Sequence, residues 1–404
     1  MLAILLCGAL LSDACFGGSP GQSASPATAE GILLGLSTTS AETDNYAVTQ
    51  RLSTAWIVRR GKTASLVAVL PYLVVPRATG FWRVGIESVC EMYGEHNEFR
   101  SRRDIVWSGP ADAAPRLSKG PDCPVKQPST SELNPSNDDQ RDDGQQVDQY
   151  TDCMYSSRSI SFLSPNYISE SAREGNTEAC EVRGFRWSAW SRVVSIITPE
   201  TKEVYGYDES GSVSRKYGPA AKTFTDFSDA SPKQATDAFD KAYEEGAKGL
   251  RAEGFNCGDG QPDYFGWQVK RKDGMWIPLL SQQMFLGDGA CEIESYIPVR
   301  LSASLAGRNQ LFPPFSQLKK AIPNLTDAFI SPRGDTLIVL TNAKIRVFDI
   351  SKAKLGAKLL EVDFPSDAIS VMDQWAVGAH VKDWTQQIRK WETHPPPAPI
   401  ISAR

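Results

Sequence analysis

Residues 46 to 90 restrict the fold more than any other part of the chain. They contain "AWIVRRGKTASLVAVLPYLVVPR" and "GFWRVGIESVC", runs rich in Val, Ile, Leu and aromatic residues that break at Gly61-Lys62 and at Thr79-Gly80. Strand-favouring residues in short runs between turn formers predict antiparallel strands. The most apolar stretch, "SLVAVLPYLVVP", is only about a dozen residues long and carries Pro71 and Pro76, so it reads as strand and not as a membrane-spanning helix. Similar punctuation recurs downstream. Thr198-Pro199-Glu200-Thr201 and Asp208-Glu209-Ser210-Gly211 predict two successive hairpin turns, and Asp273-Gly274 predicts a third within "DYFGWQVKRKDGMWIPLL". The expected fold is mainly β, with antiparallel sheets in a sandwich- or propeller-like arrangement; an α+β fold is the alternative.

Two helices interrupt this pattern. Ser231-Pro232-Lys233-Gln234 has the form of a helix start, with Ser231 as N-cap, Pro232 in the first turn and Gln234 closing a capping box. Ala235, Ala238, Phe239, Ala242 and Leu250 recur on one face, and Gly254 is the expected stop. Near the C-terminus Val377, Val381, Trp384, Ile388 and Trp391 share a helical stripe that ends at His394-Pro395-Pro396-Pro397, and the remaining "PPPAPIISAR" reads as an extended tail.

Leu2 to Leu11 is an uncharged apolar run with the length of a signal-peptide core. Ala14 and Cys15, which follow it, resemble the end of a bacterial lipobox, and the resemblance implies export and lipidation of Cys15. Phe16 to Gly31, "FGGSPGQSASPATAEG", then reads as a flexible linker. "VYGYDESGSVSRKYG" resembles one copy of a YD-type repeat, which implies a hairpin. Phe329 to Ser351, "FISPRGDTLIVLTNAKIRVFDIS", resembles one blade of a WD-repeat β-propeller: a Ser-Pro-x-Gly-Asp turn, a strand, a tight turn and a strand ending in Phe-Asp. No regular period of similar units accompanies it.

The expected organisation is a signal peptide over 1–14, a linker over 15–31 and a β-rich domain over 32–225. A helix-plus-hairpin segment over 226–310 follows, then blade-like strands, helix and Pro-rich tail over 311–404. Within 109–150 apolar residues almost vanish, so that segment is expected to be a disordered loop.

Of eight cysteines, Cys7 falls in the leader and Cys15 at the expected anchor. Cys90, Cys123, Cys153, Cys180, Cys257 and Cys291 remain. This even number is expected to form disulfides in an exported protein, with Cys257–Cys291 the first-choice pair and Cys123–Cys153 closing the polar loop. Lipidation at Cys15 and ordinary cleavage after Ala29 both leave this even set.

There is no C-x-x-C, and only three histidines exist, His96, His380 and His394, so neither a metal site nor a Ser-His-Asp triad is expected. No cofactor is expected, and no catalytic residue stands out. Asp138 to Asp148 has Arg141 where a calcium loop needs a ligand. Arg333-Gly334-Asp335 resembles the integrin-binding tripeptide and is equally an ordinary turn before a strand. The net charge is −5 and the basic residues are dispersed, which excludes a nucleic-acid footprint. Among ten tryptophans, the cluster Tyr264, Phe265, Trp267 with Trp276 is the candidate binding surface, weighed against plain core packing.

The functional expectation is an exported cell-envelope protein, in the periplasm or outer membrane or secreted, serving as a binding or structural module. Its partners would be the membrane, through a lipid on Cys15, and an envelope glycan or protein. A glycan hydrolase using Asp/Glu pairs and a protein-interaction or inhibitor module are the alternatives.

Overall fold

A computed structural model describes residues 29–41, 48–93, 98–113, 116–119, 153–177, 186–197, 204–207, 213–216, 221–252, 262–286, 289–307, 310–395 and 400–403. Strands account for 55% of the structure, so the chain is mainly β and its helices are accessory to sheets. The expected signal peptide, most of the expected linker, and the turn at Thr198–Thr201 lie outside the described residues.

The chain enters through β1 (Glu30–Ala41), β2 (Val48–Arg60) and β3 (Thr63–Leu70), joined as antiparallel neighbours. The second connection is Gly61-Lys62, with Gly61 at φ 61°. The apolar run after it divides at Pro71-Tyr72, because β4 (Leu73–Arg77) leaves for a different sheet and pairs with β5 (Gly80–Tyr93), which pairs with β6 (Glu98–Pro110). Next come β7 (Arg116–Lys119), β8 (Cys153–Leu163), β9 (Tyr167–Thr177) and β10 (Arg186–Ser195). They are followed by the small hairpin of β11 (Val204–Tyr207) and β12 (Val213–Lys216), and by β13 (Ala221–Lys222). The hairpin implied by the YD-type resemblance is therefore formed, with Tyr207 opposite Val213.

Helix α1 (Pro232–Ala252) precedes β14 (Trp267–Lys272), β15 (Met275–Leu286) and β16 (Gly289–Tyr296). The turn between β14 and β15 has Asp273 at φ 50° and Gly274 at φ 76°, the two left-handed residues of a type I′ hairpin. Short helices α2 (Ala303–Ala306) and α3 (Phe315–Ala321) lead into β17 (Leu325–Ile330), β18 (Thr336–Thr341), β19 (Lys344–Ser351) and β20 (Lys354–Asp363), a four-stranded meander at the place of the blade resemblance. The chain finishes with β21 (Ile369–Val377), α4 (Ala379–Thr393) and β22 (Ile400–Ala403).

One sheet has the order β21-β1-β2-β3 and so ties the two ends of the body together. The largest sheet, β14-β15-β10-β9-β8-β6-β5-β4 with β16 and β13 attached, curls into a half-barrel. It consists of three antiparallel meanders, β4-β5-β6, β8-β9-β10 and β14-β15-β16. Their seams are narrow: β6 meets β8 in parallel through three residue pairs, and β10 meets β15 only at Trp190–Gln282.

The sheets stack face to face. Ile32, Leu34 and Leu36 of β1 pack on Phe329, Ile338, Leu340 and Val347 of the β17–β20 meander. On its other face β1 sends Leu33 to a core shared with Leu73, Val84, Val106 and Ile160 of the large sheet. Burial on both faces is why "EGILLGL" is apolar without alternation, and why β1 begins two residues inside the expected linker. Gly31 has no room for a side chain, since a Cβ there would lie 2.3 Å from the Trp56 ring. The outer face of the meander is covered by α3 through Leu318, against Leu337 and Val339.

Helix α4 seals the edge of the first core with Val381, Ile388 and Trp391 buried. Trp384 lies 5.7 Å from Trp56 and 5.4 Å from Phe81, and Trp56 donates its indole N–H to Thr385 Oγ1 at 3.0 Å. Val377, expected on this helical stripe, belongs instead to β21, because the strand continues to the turn at Gly378. One further expectation is corrected. The polar segment does not begin at Gly109: β6 runs to Pro110, Ala111 is buried, and Arg116–Lys119 is a strand. In the C-terminal tail, Ile400–Ala403 is extended and pairs in parallel with β7.

Candidate functional site

Helix α1 starts where the capping signature places it. Ser231 Oγ accepts from the Gln234 backbone N–H at 3.4 Å, and Gln234 Oε1 accepts from the Ser231 backbone N–H at 3.2 Å. Ala235, Phe239, Ala242, Tyr243 and Ala247 are buried against Phe224, Trp267 and Ile293. Tyr243 and Ala247 were not on the expected stripe, while Ala238 and Leu250 are only partly buried. Gly246 lets the helix approach β16, because a Cβ there would lie 2.5 Å from Ile293 Cγ2, whereas a Cβ at Gly249 would meet nothing within 4 Å.

That open space belongs to a groove of about 720 Å³ between α1 and the β14–β16 sheet. Gly246, Gly249 and Leu250 line its helix side, Ser295 and Lys270 the sheet side, and Glu245, Glu292 and Glu294 supply carboxylates. Glu294 pairs with Lys270 Nζ at 3.1 Å and Glu245 with Lys241 at 3.7 Å. Glu245 and Glu294 are 62% and 48% exposed, so they present hydrated acceptors and not desolvated acids.

A smaller hollow of about 370 Å³ involves Asp240, Tyr243, Glu244, Pro262 and Tyr264. Tyr264 O–H donates to Asp240 Oδ1 at 2.8 Å, and burial together with that carboxylate raises the phenol above its ordinary value. The candidate aromatic cluster therefore divides. Tyr264 reaches a hollow and Phe265 is half-buried, but Trp267 is fully buried, donating to the Lys222 carbonyl at 3.0 Å. Trp276 is 2% exposed, packed edge-on to Phe162 and hydrogen-bonded to Asp373. Both tryptophans are core residues, because their alternating strand positions face α1 and the sheet interior.

The buried acids lie elsewhere. Arg271 Nε donates to both Asp327 oxygens at 3.0 and 3.1 Å, and Ser370 Oγ also donates to Asp327. Nearby, burial raises Asp373 to about 6 despite Arg271 and the Trp276 donor. Glu170 and Arg192 form a fully buried pair at 2.7 Å beside Arg158 and Trp190. At the mouth of β1, Glu30 faces Asp335 and Thr336. Arg333-Gly334-Asp335 is a turn, with Arg333 3.3 Å from Asp335 and 3.6 Å from Glu30, so its charges pair with each other and with β1.

Cys291 is buried on β16. Cys15, Cys123, Cys180 and Cys257 lie outside the described residues, and Cys90 and Cys153 fall within β5 and β8. His380 and His394 are exposed at the two ends of α4. Among the described residues, no three His, Cys, Asp or Glu side chains gather to hold a metal, and no helix is long and apolar enough to cross a membrane. No protein-family model matches the sequence, and no curated protein matches it.

Glu245, Glu292 and Glu294 did not stand out in the sequence, because helix and strand bring them together across more than forty residues. The available signal was Gly246 and Gly249, two helix-weakening residues three apart in an otherwise strong helix.

Proposed function

We propose that the protein is an exported cell-envelope binding module that takes a polar glycan in the groove between α1 and β16. The observation that carries this reading is the groove itself, open and lined by three carboxylates, a lysine and a serine. Sugar hydroxyls donate to such carboxylates, and Tyr264 in the neighbouring hollow supplies a ring edge with a polar tip. The groove acids are exposed, with Glu245 and Glu294 ion-paired, which suits binding; a general acid needs a carboxyl kept protonated by burial, and the acids in that state lie outside both hollows.

The signal-like Leu2–Leu11 run and Ala14-Cys15 support export with a lipid on Cys15, which would hold the module at a membrane. A Cys257–Cys291 bridge fits this compartment, and the burial of Cys291 on β16 is compatible with it.

The test is co-sedimentation of purified protein with isolated bacterial cell-wall glycan. Wild type should sediment with it, and Gly249→Trp, which places a large ring in the open space of the groove, should bind at least tenfold more weakly at unchanged melting temperature. Undiminished binding by Gly249→Trp would remove the groove from the account. A hydrolase reading rests on the same three carboxylates, and release of soluble sugar fragments lost in Glu292→Gln would favour it.

A further inference from the structure

Glu30, the first residue of β1, is 2% exposed and lies against the turn that joins β17 to β18. Thr336 Oγ1 is 2.6 Å from Glu30 Oε2 and 3.2 Å from Asp335 Oδ1, while it accepts from Arg59 Nη1 at 2.8 Å. A hydroxyl has one proton to give, and two carboxylates compete for it. Among the described residues the buried Glu30 Oε1 has no hydrogen-bond partner, and Arg333 Nε pairs with it only at 3.6 Å. A buried carboxylate oxygen left in that state is costly, and a second proton on the acid pair removes the cost.

We infer that Glu30 and Asp335 share one carboxyl proton and form a pH-sensitive clasp that fastens the β17–β18 turn to the start of β1 and releases it as the pH rises past neutrality. The two carboxyl groups face each other across the single Thr336 hydroxyl, 2.6 Å from Glu30 and 3.2 Å from Asp335. Loss of that proton leaves two neighbouring negative charges, one of them on the buried Glu30 and the other on the partly exposed Asp335. The charged groups facing the pair are Arg333 from the same turn, Arg59 from β2, and Asp349 from β19, which is itself bonded to Arg59. On the remaining side β21 places only Val377 opposite Glu30. Arg59 also donates to the Asp335 carbonyl from β2. Burial, as the largest cause, and the bond to Asp335 raise Glu30 to about 7, in keeping with the geometry. Asp335 stays below its ordinary value: burial pushes it up, but the bond to Glu30 and the charges of Arg333 and Arg59 outweigh that.

Amide hydrogen exchange of the full chain at pH 6.0 and 8.5, corrected for intrinsic rates, tests the clasp through peptides covering 29–37 and 331–337. Protection in both should fall at least tenfold at the higher pH. Glu30→Gln, which keeps the shape and cannot ionise, should be equally protected at both. Equal protection of wild type at the two values, or a persisting pH effect in Glu30→Gln, overturns the proposal. If Glu30→Gln does not fold, Asp335→Asn serves: with the second acid gone, the opening midpoint should move to lower pH, and an unchanged midpoint overturns the shared proton.

Discussion

Trp276 donates its indole N–H to Asp373 Oδ1 at 2.7 Å, linking hairpin strand β15 to the strand β21 that closes the body. The bond serves a buried acid that burial has raised to about 6. Trp276→Phe keeps most of the ring and removes the donor, which should cost about 1–3 kcal/mol when the acid is ionised. The cost should be larger at pH 8 than at pH 5, where the carboxyl is protonated and does not need that donor. Urea denaturation at the two pH values measures the difference.

Stability as a whole should fall between pH 5 and pH 8. Glu30 and Asp373 both have folded values raised above their unfolded ones, so the stability they contribute is fully present below the unfolded values and is lost as the pH rises through about 7 and about 6. Asp335 is shifted the other way, and its share is lost only in acid, as pH falls below the usual carboxylate range. The expected decline is on the order of 4 kcal/mol, from about two pH units above pH 5 for Glu30 and about one for Asp373, at about 1.4 kcal/mol each. A denaturation series across this range should show it in wild type and show it reduced in Glu30→Gln.

Gly246 and Gly249 occupy the same helix and should respond oppositely to alanine. At Gly246 the new methyl meets Ile293 at 2.5 Å, in the packed contact with β16, and destabilisation of about 1–3 kcal/mol is expected. At Gly249 it meets open space, so the gain in helix propensity should stabilise by about 0.5–1 kcal/mol. Melting temperatures of the two variants, read side by side, check this.

How much of this was legible in the sequence followed how local each signal was. The Asp273-Gly274 hairpin and the Ser231–Gln234 cap are settled by residues within four positions of one another, and both formed as expected. The Ser331–Asp335 turn and its following strands were legible for the same reason. The pairing of Glu30 with Val377 was not, since nothing local to either residue refers to the other. Gly31 was read as linker because a glycine demanded by the Trp56 ring and a glycine in a tether look alike in a sequence. The candidate tryptophans show the same limit. Trp267 and Trp276 have the composition of a binding surface, and only the placement of α1 and β21 turns them inward. The groove itself needed tertiary structure, because its acids come from a helix and a strand whose registers are independent.

Trp391 should be the costliest single residue to truncate in α4. It is buried, lies 5.3 Å edge-on from Phe81 and donates to Asp112 at 3.0 Å. Trp391→Ala is expected to cost about 3–5 kcal/mol through the cavity it leaves, while Lys382→Ala on the exposed face of the same helix should change stability by less than about 0.5 kcal/mol. Equal effects in guanidinium denaturation would mean that the helix does not seal the core.

The central claim is that the groove beside α1 holds a polar envelope glycan. Amide NMR shifts recorded while soluble cell-wall glycan fragments are added to the labelled protein test it most directly. The account predicts saturable changes confined to residues 245–250 on α1, 292–295 on β16 and Lys270, lost in Gly249→Trp. Changes centred elsewhere on the body, or none at saturating glycan, would contradict it.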